Sequence, residues 1–209
     1  DAVEDNITPD TRAVVAVDYA GQPCDYDRLR DITDRHGLIL ISDACHAIGA
    51  DYKGKRTGRY ADLTAFSFHP VKHVTTGEGG MVVTDNPEYE LKMRQFRNHG
   101  IDSDSHQRDR QGAWSYEIID LGFNYRITDF QCALGISQMS RLDAWIEKRR
   151  AIAAAYDDCL EQMPGINGLA VHSDRSHAYH LYVVRMAGRM TGKRAPLFAF
   201  LRDQGIGVN

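Results

Sequence analysis

Ala13-Val14-Val15-Ala16-Val17 and Leu38-Ile39-Leu40-Ile41-Ser42 decide the fold, together with what lies between them. Each is a short, continuous apolar run rich in β-branched residues, the pattern of a strand buried on both faces. Between them, Asp25 to Arg35 carries Leu29 and Ile32 among charged residues, as an amphipathic crossover helix does. Strand, helix, strand at this spacing is a βαβ unit, and a βαβ unit makes a parallel sheet. Leu63 to Phe68 and Gly80 to Thr84 read as two further strands, and Asn86-Pro87 as a turn that starts a helix over Glu88 to Arg97. The class is α/β.

Beyond this unit the patterning changes. Gly100 to Ser115 is polar, with Asp102, Asp104, Arg108, Asp109 and Arg110, and reads as a long loop of the kind that carries function or an interface. Thr128 to Met163 is mostly helical, one helix or two in tandem, opened by Thr128-Asp129 as an N-cap and closed by Pro164-Gly165. His180 to Met186 gives one more strand and Ala195 to Gln204 one more helix, too little for a whole domain. The expected division is a large domain over 1–143, then an interdomain helix and the start of a small α+β domain over 144–209. Both ends read as cut: the chain opens at Asp1 without a methionine and stops at Gly205-Ile206-Gly207-Val208-Asn209, where a turn should feed a strand.

Composition narrows the function. Lys+Arg number 25 against 29 Asp+Glu in 209 residues, a formal charge of -4, so no basic excess is available to neutralise a phosphate backbone. Nucleic acid is not an expected partner. The apolar runs are too short to cross a bilayer and no signal-like stretch opens the chain, which reads as soluble. Four cysteines (Cys24, Cys45, Cys132, Cys159) are widely spaced without a CxxC pair, the usage of reduced thiols in a cytoplasmic protein.

Two segments carry chemistry. In Ala65-Phe66-Ser67-Phe68-His69-Pro70-Val71-Lys72-His73, a strand ends at Phe68, Pro70 breaks it, and Lys72 sits in a turn before the bend Gly77-Glu78-Gly79-Gly80. Loops at the carboxyl ends of sheet strands are where α/β proteins hold ligands. A lysine shielded from water there has the depressed pKa that imine formation needs. A surface lysine beside a turn fits the same residues. In Ser42-Asp43-Ala44-Cys45-His46, Asp43 stands at a strand's carboxyl end, where a buried carboxylate calls for a positive partner such as a pyridinium nitrogen. A helix N-cap fits Asp43 as well. His69 and His73, four apart, make a poor zinc pair because Pro70 disfavours a helix across them and no acidic ligand is expected nearby, so no metal is expected. His99, His177 and His180 have plain structural readings, and Tyr179 and Tyr182 read as strand packing.

Taken together, these motifs resemble the DegT/DnrJ/EryC1/StrS family of sugar aminotransferases, fold-type-I enzymes that use pyridoxal 5'-phosphate. The matching residues are Asp43-Ala44-Cys45-His46 with Gly49, Ser67-Phe68-His69 with Lys72, and Gly77-Glu78-Gly79-Gly80. Further on come Asn98-His99-Gly100 and Gly122-Phe123-Asn124-Tyr125-Arg126, then Asp129 and Gln131. The resemblance covers the chain from about Ala13 to its end. It implies the fold-type-I large domain, a mostly parallel sheet with flanking helices, and a set of roles. Lys72 would be the Schiff-base lysine and mover of the proton, and Asp43 the partner of the pyridine nitrogen. Ser67 would bind the cofactor phosphate, His46 stand near the ring hydroxyl, and Cys45 stand where the family usually has a small residue against the ring face. Asn124 would reach across a homodimer interface to the other subunit's phosphate, so that the active site is shared.

The resemblance further implies exchange of an amino group from a donor, usually glutamate, to a nucleotide-linked keto-sugar. Val17 to Asp25 and Ser67 to Lys72 are most similar to the branch that aminates 4-keto-6-deoxy sugars on the way to pseudaminic acid, a route of polysaccharide biosynthesis. Members that lost the lysine run a dehydration, and Lys72 argues against that branch. The family's phosphate-cradling loop and ring-stacking aromatic have no match in Asp1 to Ala13. Two other readings keep the same residues: a cofactor-binding regulator, and a non-catalytic homologue in which Lys72 and Asp43 are replaceable.

Overall fold

The computed structural model describes residues 2–103, 108–110 and 112–208. A short helix α1 (Ala2–Asp5) precedes strand β1 (Ala13–Val17), helix α2 (Tyr26–His36) and strand β2 (Ile39–Asp43). The βαβ unit is therefore present, with β1 and β2 parallel from Ala13 opposite Ile39 to Val17 opposite Asp43. Helix α2 closes on Gly37, whose φ of 62° is the left-handed conformation of a helix C-cap. Strand β5 (Leu63–Ser67) adds parallel to β2, and β6 (Gly80–Val83) pairs antiparallel with β5, giving the order β1-β2-β5-β6. Between β2 and β5 a two-residue hairpin, β3 (Asp51–Tyr52) and β4 (Lys55–Arg56), went unseen in the sequence. Strands so short have no periodicity to read.

One expectation fails at β1. It is an edge of this sheet, and Val15 and Val17 are 61% and 49% exposed, so the strand is covered on one face only. The covered face packs Ala16 with Leu40, Tyr26 and Tyr52. Under it lies the fully buried Asp18, whose carboxylate accepts from the Tyr26 hydroxyl at 2.7 Å and the Cys24 backbone N–H at 2.9 Å. Burial pushes the Asp18 carboxyl upward despite those bonds. Tyr26 also shares a hydrogen bond with Ser42 at 2.5 Å. This polar network knits α2 to the ends of β1 and β2.

Asn86 caps helix α3 (Pro87–Arg97) through Glu88 and Tyr89 N–H, with proline inside the first turn. The loop expected over 100–115 lies partly outside the described residues. The long helical stretch is two helices, α4 (Asp129–Met139) and α5 (Leu142–Leu160). Thr128 and Gln131 form a reciprocal capping box at the start of α4. Helix α5 buries Leu142 and Ile146 against Ala44, Ala47, Phe68 and Val74, the core directly beneath the ends of β2 and β5. Gly49 meets that helix: its φ is 83°, and a Cβ there would come within 3.3 Å of Ile146.

The strand expected over His180 to Met186 shrinks to β8 (Val184–Met186), paired antiparallel with β7 (Ile166–Gly168). Tyr179, just before the expected strand, takes a φ of 50°, outside any strand conformation, and only Val184–Met186 finds a partner strand. Helix α6 (Arg194–Asp203) follows. No helix among the described residues is long and apolar enough to cross a membrane.

Candidate active site

The parallel register puts Asp43, the last residue of β2, opposite Ala65 on β5. Ser67 lies two residues further along β5 and so shares the face of Ala65. Just past β2 the chain turns: Cys45 N–H donates to the Asp43 carboxylate at 3.1 Å, and Ala44 N–H to the Ala65 carbonyl at 2.9 Å. Cys45 Sγ lies 3.9 Å from the same carbonyl. His46 follows, its Nδ1 accepting from Ala20 N–H at 3.3 Å. Ala20 itself holds a φ of 61°, an uncommon backbone for alanine, which aims that N–H.

From the neighbouring strand, Phe68 N–H donates to Gly79 carbonyl at 2.8 Å, and Thr76 N–H returns to the Phe68 carbonyl at 3.0 Å. These bonds close Ser67 to Gly79 into a compact loop that carries Lys72. His69 N–H reaches Ser67 Oγ at 3.3 Å, and Lys72 N–H caps the His69 carbonyl at 2.9 Å. Lys72 is half-buried. Its charge and that of Asp43 act on the same two neighbours. Burial first, then hydrogen bonding and repulsion by Asp43, push the Cys45 thiol up to about 11, with Lys72 opposing. Burial first and Lys72 second hold His46 below its ordinary value, with Asp43 opposing. Cys45 is thus a neutral thiol and His46 a neutral ring.

Asp43, Cys45, His46 and Lys72 therefore form one group at the strand ends, with Ser67 on the same strand edge. Asn124 is differently placed. It is exposed and pairs with Asn98 through an isolated bridge, while Phe123 and Tyr125 on either side stack on each other at 5.0 Å. His69 does have an acidic neighbour, Glu78 at 3.8 Å, which the sequence order concealed. Even so, no cluster of three or more His, Cys, Asp or Glu able to hold a metal occurs among the described residues. The residue the sequence undervalued is His180, whose ring packs on His46 with centroids 4.4 Å apart. Nothing local in the sequence signals this, since the contact spans the chain.

A carboxylate at a strand end, a small thiol, a neutral imidazole, a primary amine and a hydroxyl form a donor set that suits a phosphorylated pyridine ring. The sheet order, the flanking helices and the lysine-bearing loop define the large domain of a fold-type-I aminotransferase. The chain belongs to the DegT/DnrJ/EryC1/StrS aminotransferase family, whose model matches residues 1–209.

It is 39% identical over 196 residues to a UDP-4-amino-4,6-dideoxy-N-acetyl-beta-L-altrosamine transaminase of Campylobacter jejuni, covering 94% of this chain and 50% of that protein. Among solved structures, Helicobacter pylori PseC, an aminotransferase involved in the biosynthesis of pseudoaminic acid, superposes with a TM-score of 0.89 at 32% identity. That match covers 98% of this chain and 53% of PseC. A putative sugar aminotransferase, Spr1654 of Streptococcus pneumoniae, matches in its PLP form at a TM-score of 0.87 and 30% identity, over 99% of this chain and 56% of that one. Its PMP form matches at 0.89. The chain spans about half the length of the curated relatives it matches.

Proposed function

We propose that the protein built on this chain is a pyridoxal-phosphate-dependent aminotransferase that converts a nucleotide-linked 4-keto-6-deoxy sugar to the amino sugar, with glutamate as donor. The observation that carries the reading is that the register sets Asp43 at the end of β2 opposite Ala65, two residues before Ser67, while the bonds between Phe68, Thr76 and Gly79 close the Lys72 loop onto that same strand end. The bound cofactor supplies an electron sink through its protonated pyridine ring. Asp43 keeps that ring nitrogen protonated, because a carboxylate fixed by the Cys45 turn favours the cation. Lys72 would hold the cofactor covalently, and its Nζ would take and return the proton that moves in the exchange. Ser67 Oγ donates to the phosphate. Cys45, held as a neutral thiol, gives the ring face a small apolar contact rather than a nucleophile. His46 Nε2–H is oriented by the Ala20 bond for the ring hydroxyl.

The identities to sugar aminotransferases support the substrate class, and the similarity to PseC and the Campylobacter jejuni transaminase supports the pseudaminic acid branch. The working unit is a cytoplasmic homodimer with Asn124 reaching the partner's cofactor phosphate. Its exposed position beside the exposed Leu121, Tyr125 and Phe130 (75%, 64% and 88%) supports that placement, since such apolar surface favours a protein partner. The large domain runs over 1–143 and the second unit over 144–209. The test is reduction of the cofactor-loaded complete protein with borohydride, followed by peptide mapping and by product analysis with UDP- and dTDP-linked keto-sugars. The expected result is an adduct on Lys72 and an amino sugar at carbon 4. An adduct on any other lysine overturns the assignment.

A further inference from the structure

Asp18 takes no part in the chemistry above, yet two residues of the site rest on it. It stands one residue past β1 and is fully buried. Its backbone N–H donates to the Asp43 carbonyl at 3.0 Å, which holds the last residue of β2. Its carboxyl reaches the residue before. Oδ1 accepts from the Tyr26 hydroxyl at 2.7 Å, the Tyr26 and Ser42 hydroxyls share a hydrogen bond at 2.5 Å, and Ser42 Oγ lies 3.4 Å from Oδ2. Three side chains thus close a ring. Ser42 and Asp43 are neighbours on β2 and face opposite sides of the strand, so a ring that anchors Ser42 fixes the backbone from which Asp43 projects.

The second hold is on a turn. Oδ1 also accepts from Cys24 N–H at 2.9 Å, which ties the end of the turn 18–24 to its start. Inside it, Gly21 N–H donates to the Asp18 carbonyl at 3.2 Å. The same turn carries Ala20, whose N–H donates to His46 Nδ1. Its φ of 61° is a backbone that alanine keeps only where the surroundings over-determine it, and the bonds of Asp18 across the turn do so. Asp18 therefore lies under both Asp43 and His46.

The ring asks for hydrogen-bonding geometry rather than charge. Burial pushes the Asp18 carboxyl and the Tyr26 hydroxyl upward and the Cys24 thiol up to about 12, so its members favour their neutral forms. An amide in place of the carboxyl satisfies the same atoms. Its oxygen accepts from Tyr26 and Cys24, its Nδ2–H donates to Ser42 Oγ, and the Ser42 hydroxyl donates to the Tyr26 oxygen.

We propose that Asp18 is a positioning residue of this site: a buried hydrogen-bond hub that fixes the Asp43 carboxylate through the end of β2 and the His46 ring through the 18–24 turn. The placement rests on this chain alone, and its effect on turnover rests on the proposed aminotransferase reading.

Two variants separate these. Asp18→Leu keeps the approximate size and removes the acceptors, whereas Asp18→Asn keeps the ring closed. The first readout is amide hydrogen exchange in cofactor-free complete protein, at Cys45 N–H, which sits on the Asp43 carboxylate, and at Ala20 N–H, which sits on His46. Asp18→Leu should speed exchange at both roughly tenfold, while Phe68 N–H, bonded to Gly79, keeps its rate. Asp18→Asn should stay near wild type. Wild-type protection at Cys45 and Ala20 in the Leu variant, or an equal loss at Phe68, overturns the hub. So does an Asn variant as unprotected as Leu, because charge would then be the operative property.

The second readout is turnover of the cofactor-loaded protein. Asp18→Leu should lower kcat roughly tenfold with KM for the sugar little changed, and should lower it clearly less in an Asp43→Asn background, where the charge it positions is gone. An equal loss in both backgrounds overturns the route through Asp43. Lost protection with wild-type turnover leaves the hub standing and overturns instead the reading of Asp43 as a partner of the cofactor. Should Asp18→Leu fail to fold, Tyr26→Phe opens the same ring by one hydroxyl. Faster exchange at Cys45 with an unchanged Phe68 then supports the hub, and wild-type exchange at Cys45 overturns it.

Discussion

Asp43 and Cys45 form a closed local turn: the backbone N–H of Cys45 donates to the carboxylate of Asp43 at 3.1 Å, immediately past the end of β2. The turn fixes the plane of the carboxylate with one of its own neighbours, so the group is oriented before any ligand arrives.

Asp43→Asn follows from this geometry. The amide oxygen still accepts from Cys45, so the fold and its melting temperature should be nearly unchanged. The negative charge is gone, and turnover should fall on the order of a hundredfold or more. Unchanged kcat in a folded Asp43→Asn protein removes Asp43 from the role of ring-nitrogen partner.

A shared site makes a mixing prediction for Asn124. Lys72→Ala and Asn124→Ala should each be weak or inactive alone. After subunit exchange, the mixed dimer has one site lacking both groups and one with both intact, and activity should return towards about half that of wild type per dimer. Exchange proven by mass, with activity left at the level of the single variants, places Asn124 in its own subunit's site.

His73 and His177 predict a pH dependence of stability. Both are 4% exposed, and burial pushes each from the ordinary 6.5 down to about 4. Arg149, His46 and Lys72 add to this at His73, and His73 and Arg150 at His177. The folded rings are neutral, and the unfolded chain takes up their protons below about 6.5. Their contribution is complete above that value and drains away as the pH falls towards about 4, at up to roughly 1.4 kcal/mol per pH unit for each ring. Urea unfolding at about pH 7 and pH 5.5 measures it, as the difference between wild type and a His177→Phe variant, because the upward-shifted Asp18 carboxyl acts in the opposite sense. An equal pH dependence in wild type and variant shows that the ring of His177 is not held neutral.

Gly21→Ala probes the docking of the histidine segment. Gly21 has a φ of 116°, and a Cβ there would stand 2.8 Å from Tyr179 N and 3.0 Å from the His46 carbonyl. Both atoms are backbone, so the segment around His180 must move. Stability should drop by about 1–3 kcal/mol. A variant as stable as wild type shows that the two backbones have room to part.

Much of this was legible from local pattern. The two apolar runs before and after α2 gave the parallel unit to within one residue, and Asn86 and Thr128 marked helix starts because capping is chemistry of near neighbours. Lys72 and Asp43 stood out through a broken strand and a strand-end carboxylate. What escaped depends on distant partners. The antiparallel attachment of β6 is set by the loop closed between Phe68 and Gly79, the exposure of Val15 by which edge β1 occupies, and the place of His180 by Arg149 thirty-one residues earlier.

The two arginines on α5 have one more consequence. Arg149 grips the carbonyls of Tyr179 and His180, and Arg150 that of His177 at 3.1 Å. The ring of His180 is therefore referenced to the long helix, whereas His46 is referenced to the sheet through β2. The spacing between the two imidazoles works as a gauge: any rotation or slide of α5 against the strands registers there.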